Sequence, residues 1–270
     1  LFGGAGNDHI FGDNAWLVRD NANVLQSVHS TEATYGDDDL IDIGRDNGGA
    51  DTLIGGIGDD QLAGGDIDNE NDVLIGDSAV IIRNATNNLV TSSRVSVVGG
   101  ASSDDLANGG RDTITGGAGD DLIIGGSGGT DIGAAGDTLS GDAGNDMIIG
   151  DNASVDRDIN DVVLRITSIH TANGGQELIN GGSGDDMIIG GLGNDVLNGN
   201  AGNDTIFGDA AIIVRTESSN AAANNDAYSI VPSIDPSIGG MDTIRGNDGN
   251  DLLIGGAAND TIYGDAGVDT

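Results

Sequence analysis

Large aliphatic residues recur along this chain at nine-residue intervals, each preceded by a glycine-rich run that ends in aspartate. Residues 181–189 read GGSGDDMII, 190–198 read GGLGNDVLN and 199–207 read GNAGNDTIF. These are contiguous copies of G-G-x-G-x-D-x-U-x, with U a large aliphatic residue. Further copies stand at 3–11, 55–63, 116–124, 141–149, 246–254 and 255–263. Partial copies close as GADTLI (49–54), GRDTIT (110–115), GQELIN (175–180) and GMDTIR (240–245), and the copies at 64–75 and 125–140 carry insertions in the loop. A fixed short period is the mark of a repeat architecture. The glycines permit positive φ and so reverse the chain. The x-U-x triplet then makes a very short strand, with U inward and its neighbours outward by the period of two. Two units complete one turn of a flat helix of chain, and successive turns stack as parallel strands about 4.8 Å apart. The pattern predicts an all-β parallel β-roll (a β-helix solenoid).

A longer period overlies the short one. GDNAWLVR (12–19), GDSAVIIR (76–83), GDNASVDR (150–157) and GDAAIIVR (208–215) keep the same Gly-to-Arg offset, and GDAG returns at 264. Each is followed by a variable insert holding SVHS (27–30), SVVG (96–99), SIHT (168–171) or SIVP (229–232). Together they read as two strands joined by a polar turn, a β-hairpin or extended arm in each long unit. Pro232 and Pro236 place the last arm at a sheet edge. The predicted organisation is the end of a repeat block at 1–13, then repeat blocks at 49–77, 110–151, 175–209 and 240–270. Inserts occupy 14–48, 78–109, 152–174 and 210–239. Because the chain starts and stops within repeats, a segment of a longer protein is expected.

Composition sharpens this picture. Glycine supplies 49 of 270 residues, aromatics 3%, and the formal net charge is −36 from 45 acidic and 9 basic residues. Every basic residue is arginine, and glutamate occurs only at Glu32, Glu70, Glu177 and Glu217. Such acidity repels nucleic acid and anionic membranes and favours cations. High charge with few aromatics also fits disorder, but the regular Ile and Leu positions argue against it. Without cysteine there is neither a disulfide framework nor a thiolate metal site, and no apolar run approaches a membrane span of about 20 residues.

Stacking sets the turns of units n and n+2 above one another. Carboxylates that close repel unless a cation lies between them. A shell of oxygens alone suits calcium; magnesium demands a tighter octahedron, and zinc prefers imidazole and thiolate, for which only His9, His29 and His170 exist. The candidate ligands are Asp8, Asp51, Asp60, Asp72, Asp112, Asp121, Asp137, Asp146, Asp186, Asp195, Asp204, Asp242, Asp251 and Asp260. Secondary candidates are Asp13, Asp77, Asp151, Asp209 and Asp265, which follow the first glycine. Glu177 takes the aspartate position with a longer side chain, and Ala258 replaces a turn glycine. The spacing pairs Asp112 with the 125–137 turn, Asp121 with Asp146, Asp186 with Asp204 and Asp242 with Asp260.

These repeats resemble the RTX (repeats-in-toxin, hemolysin-type calcium-binding) family. The resemblance implies a parallel β-roll with many calcium ions in its turns, type I secretion from a Gram-negative bacterium, and folding outside the cell. The inserts depart from the pattern and raise the alternative of a roll broken into blocks. A core of single Ile and Leu side chains per half-turn is thin against the chain entropy it must offset, so metal binding is expected to drive folding. No Gly-Lys-Ser/Thr phosphate loop, Ser-His-Asp arrangement or metalloprotease signature occurs, so catalysis is not expected. The recurrent His29 and His170, the recurrent Arg19, Arg83, Arg157 and Arg215, and the single Trp16 read as structural. The sequence thus describes a calcium-binding, calcium-folded structural segment of a secreted or cell-surface protein: a spacer, adhesin or filament module. Self-association or surface contacts would run through the inserts. The alternative is an accessory module for secretion and folding of a type I-secreted lipase, protease or epimerase.

Overall fold

A computed structural model describes residues 1–23, 25–30, 36–41, 48–65, 69–86, 89–97, 109–128, 135–158, 163–169, 174–216, 227–232 and 239–270. The first long unit follows β1 (His9–Phe11) with β2 (Ala15–Arg19), β3 (Leu25–Ser30), β4 (Leu40–Ile41), β5 (Thr52–Gly56), β6 (Gln61–Gly65) and β7 (Val73–Asp77). The second holds β8 (Ala79–Thr86), β9 (Leu89–Val97), β10 (Thr113–Ala118), β11 (Leu122–Ile124), β12 (Thr138–Ala143) and β13 (Met147–Ile149). The third holds β14 (Ala153–Asp158), β15 (Val163–Ser168), β16 (Leu178–Ser183), β17 (Met187–Gly191), β18 (Val196–Ala201) and β19 (Thr205–Asp209). The fourth holds β20 (Ala211–Thr216), β21 (Ala227–Pro232), β22 (Thr243–Asp248), β23 (Leu252–Ile254) and β24 (Thr261–Ala266).

The x-U-x triplets form two parallel eight-stranded sheets. One, the inner sheet, runs β1-β5-β7-β11-β13-β17-β19-β23; the other, the outer sheet, runs β4-β6-β10-β12-β16-β18-β22-β24. Register is strict: Ile123 lies beside Leu74 on one side and Ile148 on the other, and Leu139 lies between Ile114 and Ile179. The U residues of both sheets meet in one apolar layer that includes Leu53, Leu74, Ile123, Ile148 and Ile188 against Leu62, Ile114, Leu139, Ile179 and Leu197. The roll is continuous through every insert, so the block alternative does not hold.

The inserts are hairpins, and they do more than project. Their eight strands pair side by side into a third sheet, β2-β3-β8-β9-β14-β15-β20-β21, antiparallel throughout. The last strand, β21, lies at its edge and ends on Pro232; Pro236 lies outside the described residues. This sheet covers the far face of the inner sheet. Val28, Ile81, Val155, Ile166 and Ile213 from the hairpins pack with Ile54, Ile75, Ile124, Ile149, Ile189 and Phe207 from the roll. Two expectations are corrected here. The core is not a single thin layer, because a second apolar layer lies between the inner sheet and the hairpins. In the inner sheet the neighbours of U do not all face water: Leu122 and Ile124 are as buried as Ile123. A strand covered on both faces reads as an unbroken apolar run, which is why the inner strands spell LII, MII, TIF and LLI whereas the outer ones spell TIT, TLS and TIR.

Candidate metal centres

The turns form two files, one along each edge of the roll. Along the plain edge, where the chain passes from outer to inner sheet, stand Asp8, Asp51, Asp72, Asp121, Asp146, Asp186, Asp204 and Asp251. Each donates its backbone N–H to Oδ1 of the next: Asp72 to Asp121, Asp121 to Asp146 and Asp146 to Asp186 at 2.7, 2.9 and 2.8 Å. The file ends with Asp251 donating to Asp269 at 3.1 Å. Along the hairpin edge, Asp60 donates to Asp112, Asp112 to Asp137, Glu177 to Asp195, Asp195 to Asp242 and Asp242 to Asp260, at 2.8 to 3.1 Å. The four pairs expected from the repeat spacing are therefore neighbours in these files.

Sequence reasoning missed two members. Asp39 opens the hairpin-edge file, donating to Asp60 Oδ1 at 2.7 Å, and Asp269 closes the other file. Asp39 stands in GDDDLI, where an aspartate replaces the turn glycine, and Asp269 stands in a copy cut off after GVDT; the D-x-U and G-x-D spacings were the available signals. A second signal lies at the position before the repeat aspartate. The residue before the repeat aspartate is Asn or Asp at 7, 59, 71, 120, 145, 185, 194, 203 and 250. Its Oδ1 accepts the N–H of the same position one turn on, as in Asn145 to Asp120, Asp185 to Asn145 and Asn203 to Asp185 at 2.7 to 2.8 Å. The two ladders run in opposite senses and tie each turn to both neighbours.

With Oδ1 committed, the other oxygen decides the chemistry. Oδ2 of Asp60, Asp112, Asp121, Asp137, Asp146, Asp186, Asp195, Asp204, Asp242 and Asp251 is buried and without a hydrogen-bond partner. It faces the α-carbon of the first glycine of its own repeat (for Asp112 and Asp242, of Gly76 and Gly208, which precede the hairpins), beside a glycine carbonyl from the next turn. A methyl group on Gly116 would lie 2.5 Å from Asp121 Oδ2 and 2.8 Å from the Gly141 carbonyl oxygen. Glycine at this position thus keeps a pocket of oxygens open. Burial pushes Asp146 and Asp242 up to about 8, Asp60, Asp186 and Asp195 to about 7, and Asp121 and Asp204 to about 6, helped by neighbouring carboxylates. Among the described residues no three acidic or imidazole side chains converge, so any shell here draws on carbonyls as well as carboxylates. A hard, oxygen-seeking cation of flexible geometry fits that donor set, and calcium is such an ion.

The secondary candidates sort differently. Asp13, Asp77, Asp151 and Asp209 launch the hairpins, and their carboxylates accept N–H groups. Asp13 takes Ile57 N–H at 2.7 Å, Asp77 takes Ser127 N–H at 2.6 Å and its hydroxyl at 2.8 Å, Asp151 takes Leu192 N–H at 2.5 Å, and Asp209 takes Gly240 N–H at 3.1 Å and that of Ala257. Asp77 and Asp151 also accept from Gly110 and Gly175, where the chain returns from the hairpin. Each therefore latches a hairpin's departure to the adjoining turn, and Asp77, Asp151 and Asp209 also hold its return. Asp265 belongs to another class: it is half-exposed, has φ of 64°, and pairs with Arg245 at 3.1 Å. Ala258 stands in the left-handed region at φ 72°, where the other repeats place glycine. Trp16 stacks on His29 with centroids 4.0 Å apart, and Arg19 donates to the Asn23 carbonyl at 3.1 Å; His170 lies outside the described residues.

The family model for the RTX calcium-binding nonapeptide repeat, in four copies, matches residues 1–15, 34–66, 98–130, 131–153, 171–211 and 238–270. No curated protein and no solved structure matches the chain. With most of its length covered by that model, and with the turns arranged as described, the chain belongs to the RTX calcium-binding repeat family.

Proposed function

We propose that this chain is a rod-like structural module of a secreted or cell-surface protein, a spacer or adhesin segment, stiffened by calcium held between successive turns of both files. The observation that carries the reading is the row of buried Oδ2 atoms without partners, each beside a glycine carbonyl of the next turn. Leaving a buried carboxylate unpaired is costly, and one cation per gap offsets that cost for two turns at once. The ligands assigned are the repeat aspartates of the two files, now including Asp39 and Asp269. The module itself is assigned no catalytic step. Three eight-stranded sheets in register favour a rod: at about 4.8 Å per strand they extend about 35 Å, and the long unit adds to its own end without changing pattern.

The test is a calcium titration of the chelated chain followed by circular dichroism and small-angle scattering. The expected result is a transition from an expanded chain to a β-rich, elongated particle, with several ions bound. A chain equally compact and β-rich in excess chelator would refute the reading.

A further inference from the structure

Along the free face of the outer sheet the acids stop. Each strand from β6 to β24 turns two side chains outward, one on either side of its buried U residue. These positions hold no carboxylate, although 45 of the 270 residues are acidic. Arg245 is their one charge, and the aspartate-rich turns flank the strip on both edges. Four strands concentrate its chemistry. Leu178 and Val196 are neighbours in register, each 41% exposed. Beside them Asn198 Nδ2 donates to Asn180 Oδ1 at 3.1 Å. That bond uses one N–H of one amide and one lone pair of the other, so both amides keep further donors and acceptors for a ligand. Across the sheet Arg245 follows Asn198, and Tyr263 follows Arg245. The guanidinium lies 4.2 Å from the centre of the Tyr263 ring and pairs with Asp265 at 3.1 Å, which fixes its plane.

We propose that this strip, from β16 to β24, binds an uncharged, extended hexose polymer of the β-1,4-glucan type, laid along the stacking axis. A pyranose ring presents C–H bonds on its face and hydroxyls around its rim. Leu178 and Val196 take the ring face, while Asn180, Asn198 and Arg245 take the hydroxyls. One sugar is close in length to one strand spacing, about 4.8 Å, so successive rings meet successive strands. Charge excludes a polyanion, which the flanking aspartates repel. Size excludes a stable dimer of the chain through this face. The whole strip is about 30 Å by 10 Å, about 300 Å² against the roughly 800 Å² per partner of a stable complex. A narrow, neutral strip suits a single polymer chain. The proposal depends on the folded sheet and adds a ligand to the structural role.

Titration calorimetry in calcium would compare cellohexaose with carboxymethylated cellohexaose on three chains. These are the wild type, the double variant Asn180→Asp/Asn198→Asp, and Ile82→Glu on the exposed face of the hairpin sheet. The wild type is expected to bind cellohexaose and to bind its carboxymethylated form at least tenfold more weakly. The double variant, near-isosteric but newly charged, is expected to lose at least tenfold in affinity for cellohexaose, and Ile82→Glu to match the wild type. A wild type that does not bind cellohexaose, a double variant that binds it as well, or equal binding of the charged sugar overturns the proposal. So does a chain that ignores the sugar yet dimerises in scattering and loses the dimer in the double variant, which gives the strip to a second copy. Circular dichroism checks that each variant is folded. Should the double variant not fold, chemical-shift mapping on the wild type decides: shifts induced by cellohexaose are expected in β16, β18, β22 and β24, and shifts in the hairpin sheet instead, or none, rule the site out.

Discussion

At the scale of single residues, the repeat aspartate divides its work between two oxygens. Oδ1 holds the neighbouring turn and Oδ2 is left for a cation. Burial raises these carboxyls to about 6 to 8. An acid whose folded pKa exceeds its unfolded value near 4 binds more protons when folded. It therefore supports the fold at low pH and loses that support as pH rises through the folded value. The chelated chain is thus expected to gain β structure on acidification from pH 8 to pH 5, followed by circular dichroism. In calcium the same protons compete with the ion, so the midpoint for calcium should move to higher concentration as pH falls. A simpler residue effect is expected at Ala258. A non-glycine residue in the left-handed region costs about 1–2 kcal/mol, partly offset by the larger unfolded-state entropy of glycine. Ala258→Gly should therefore raise the stability of the calcium-loaded chain by about 0.5–1 kcal/mol, measured by denaturant titration.

At the scale of elements, the strand is set by the nonapeptide, but its burial is set by what lies across from it. The glycine pattern and the period of two placed Ile123 and Leu139 in the core from sequence. They did not place Leu122 and Ile124 there, because the sheet that covers them comes from inserts of unequal length and composition. The same limit applied to the Gly-Asp dipeptide. In GDAG at 141 and 264 its aspartate sits in a turn at positive φ; at 12, 76, 150 and 208 it accepts N–H groups and latches a hairpin. The residue two places on separates the two classes, glycine in GDAG and alanine in GDxA, but only the returning strand shows that the second class holds N–H groups. Asp151→Ala removes the acceptor of Leu192 N–H, and an unsatisfied buried donor costs about 1–3 kcal/mol. Amide exchange should accelerate selectively in β14 and β15 while β16–β19 remain protected, and the number of calcium ions bound should not change.

At the scale of the whole molecule, one hairpin serves two turns of the roll. Parallel and antiparallel strands share nearly the same spacing, about 4.7–4.9 Å, so the two strands of a hairpin span the width of two roll turns. Hairpins accordingly leave the roll at every second turn of one edge, and eight hairpin strands lie over eight roll strands. This match explains the long period, which the sequence displayed without a reason. It also makes the hairpins part of the core. Ile166, fully buried between the sheets, is expected to cost about 2–5 kcal/mol when changed to alanine, measured as a rise in the calcium concentration needed for folding. An arm that merely projected would show almost no change.

The sequence by itself determined the nine-residue unit, the short strands, the stacking of alternate turns and the aspartates that meet there. All of these follow from glycine's backbone freedom, side-chain alternation and fixed spacing within about two repeats. The tertiary structure alone decided that the hairpins join edge to edge, that the inner sheet is covered on both faces, and that hairpin-launching aspartates hold N–H groups. Those outcomes depend on groups 20 to 50 residues apart meeting at one strand spacing, and no local pattern records such a meeting.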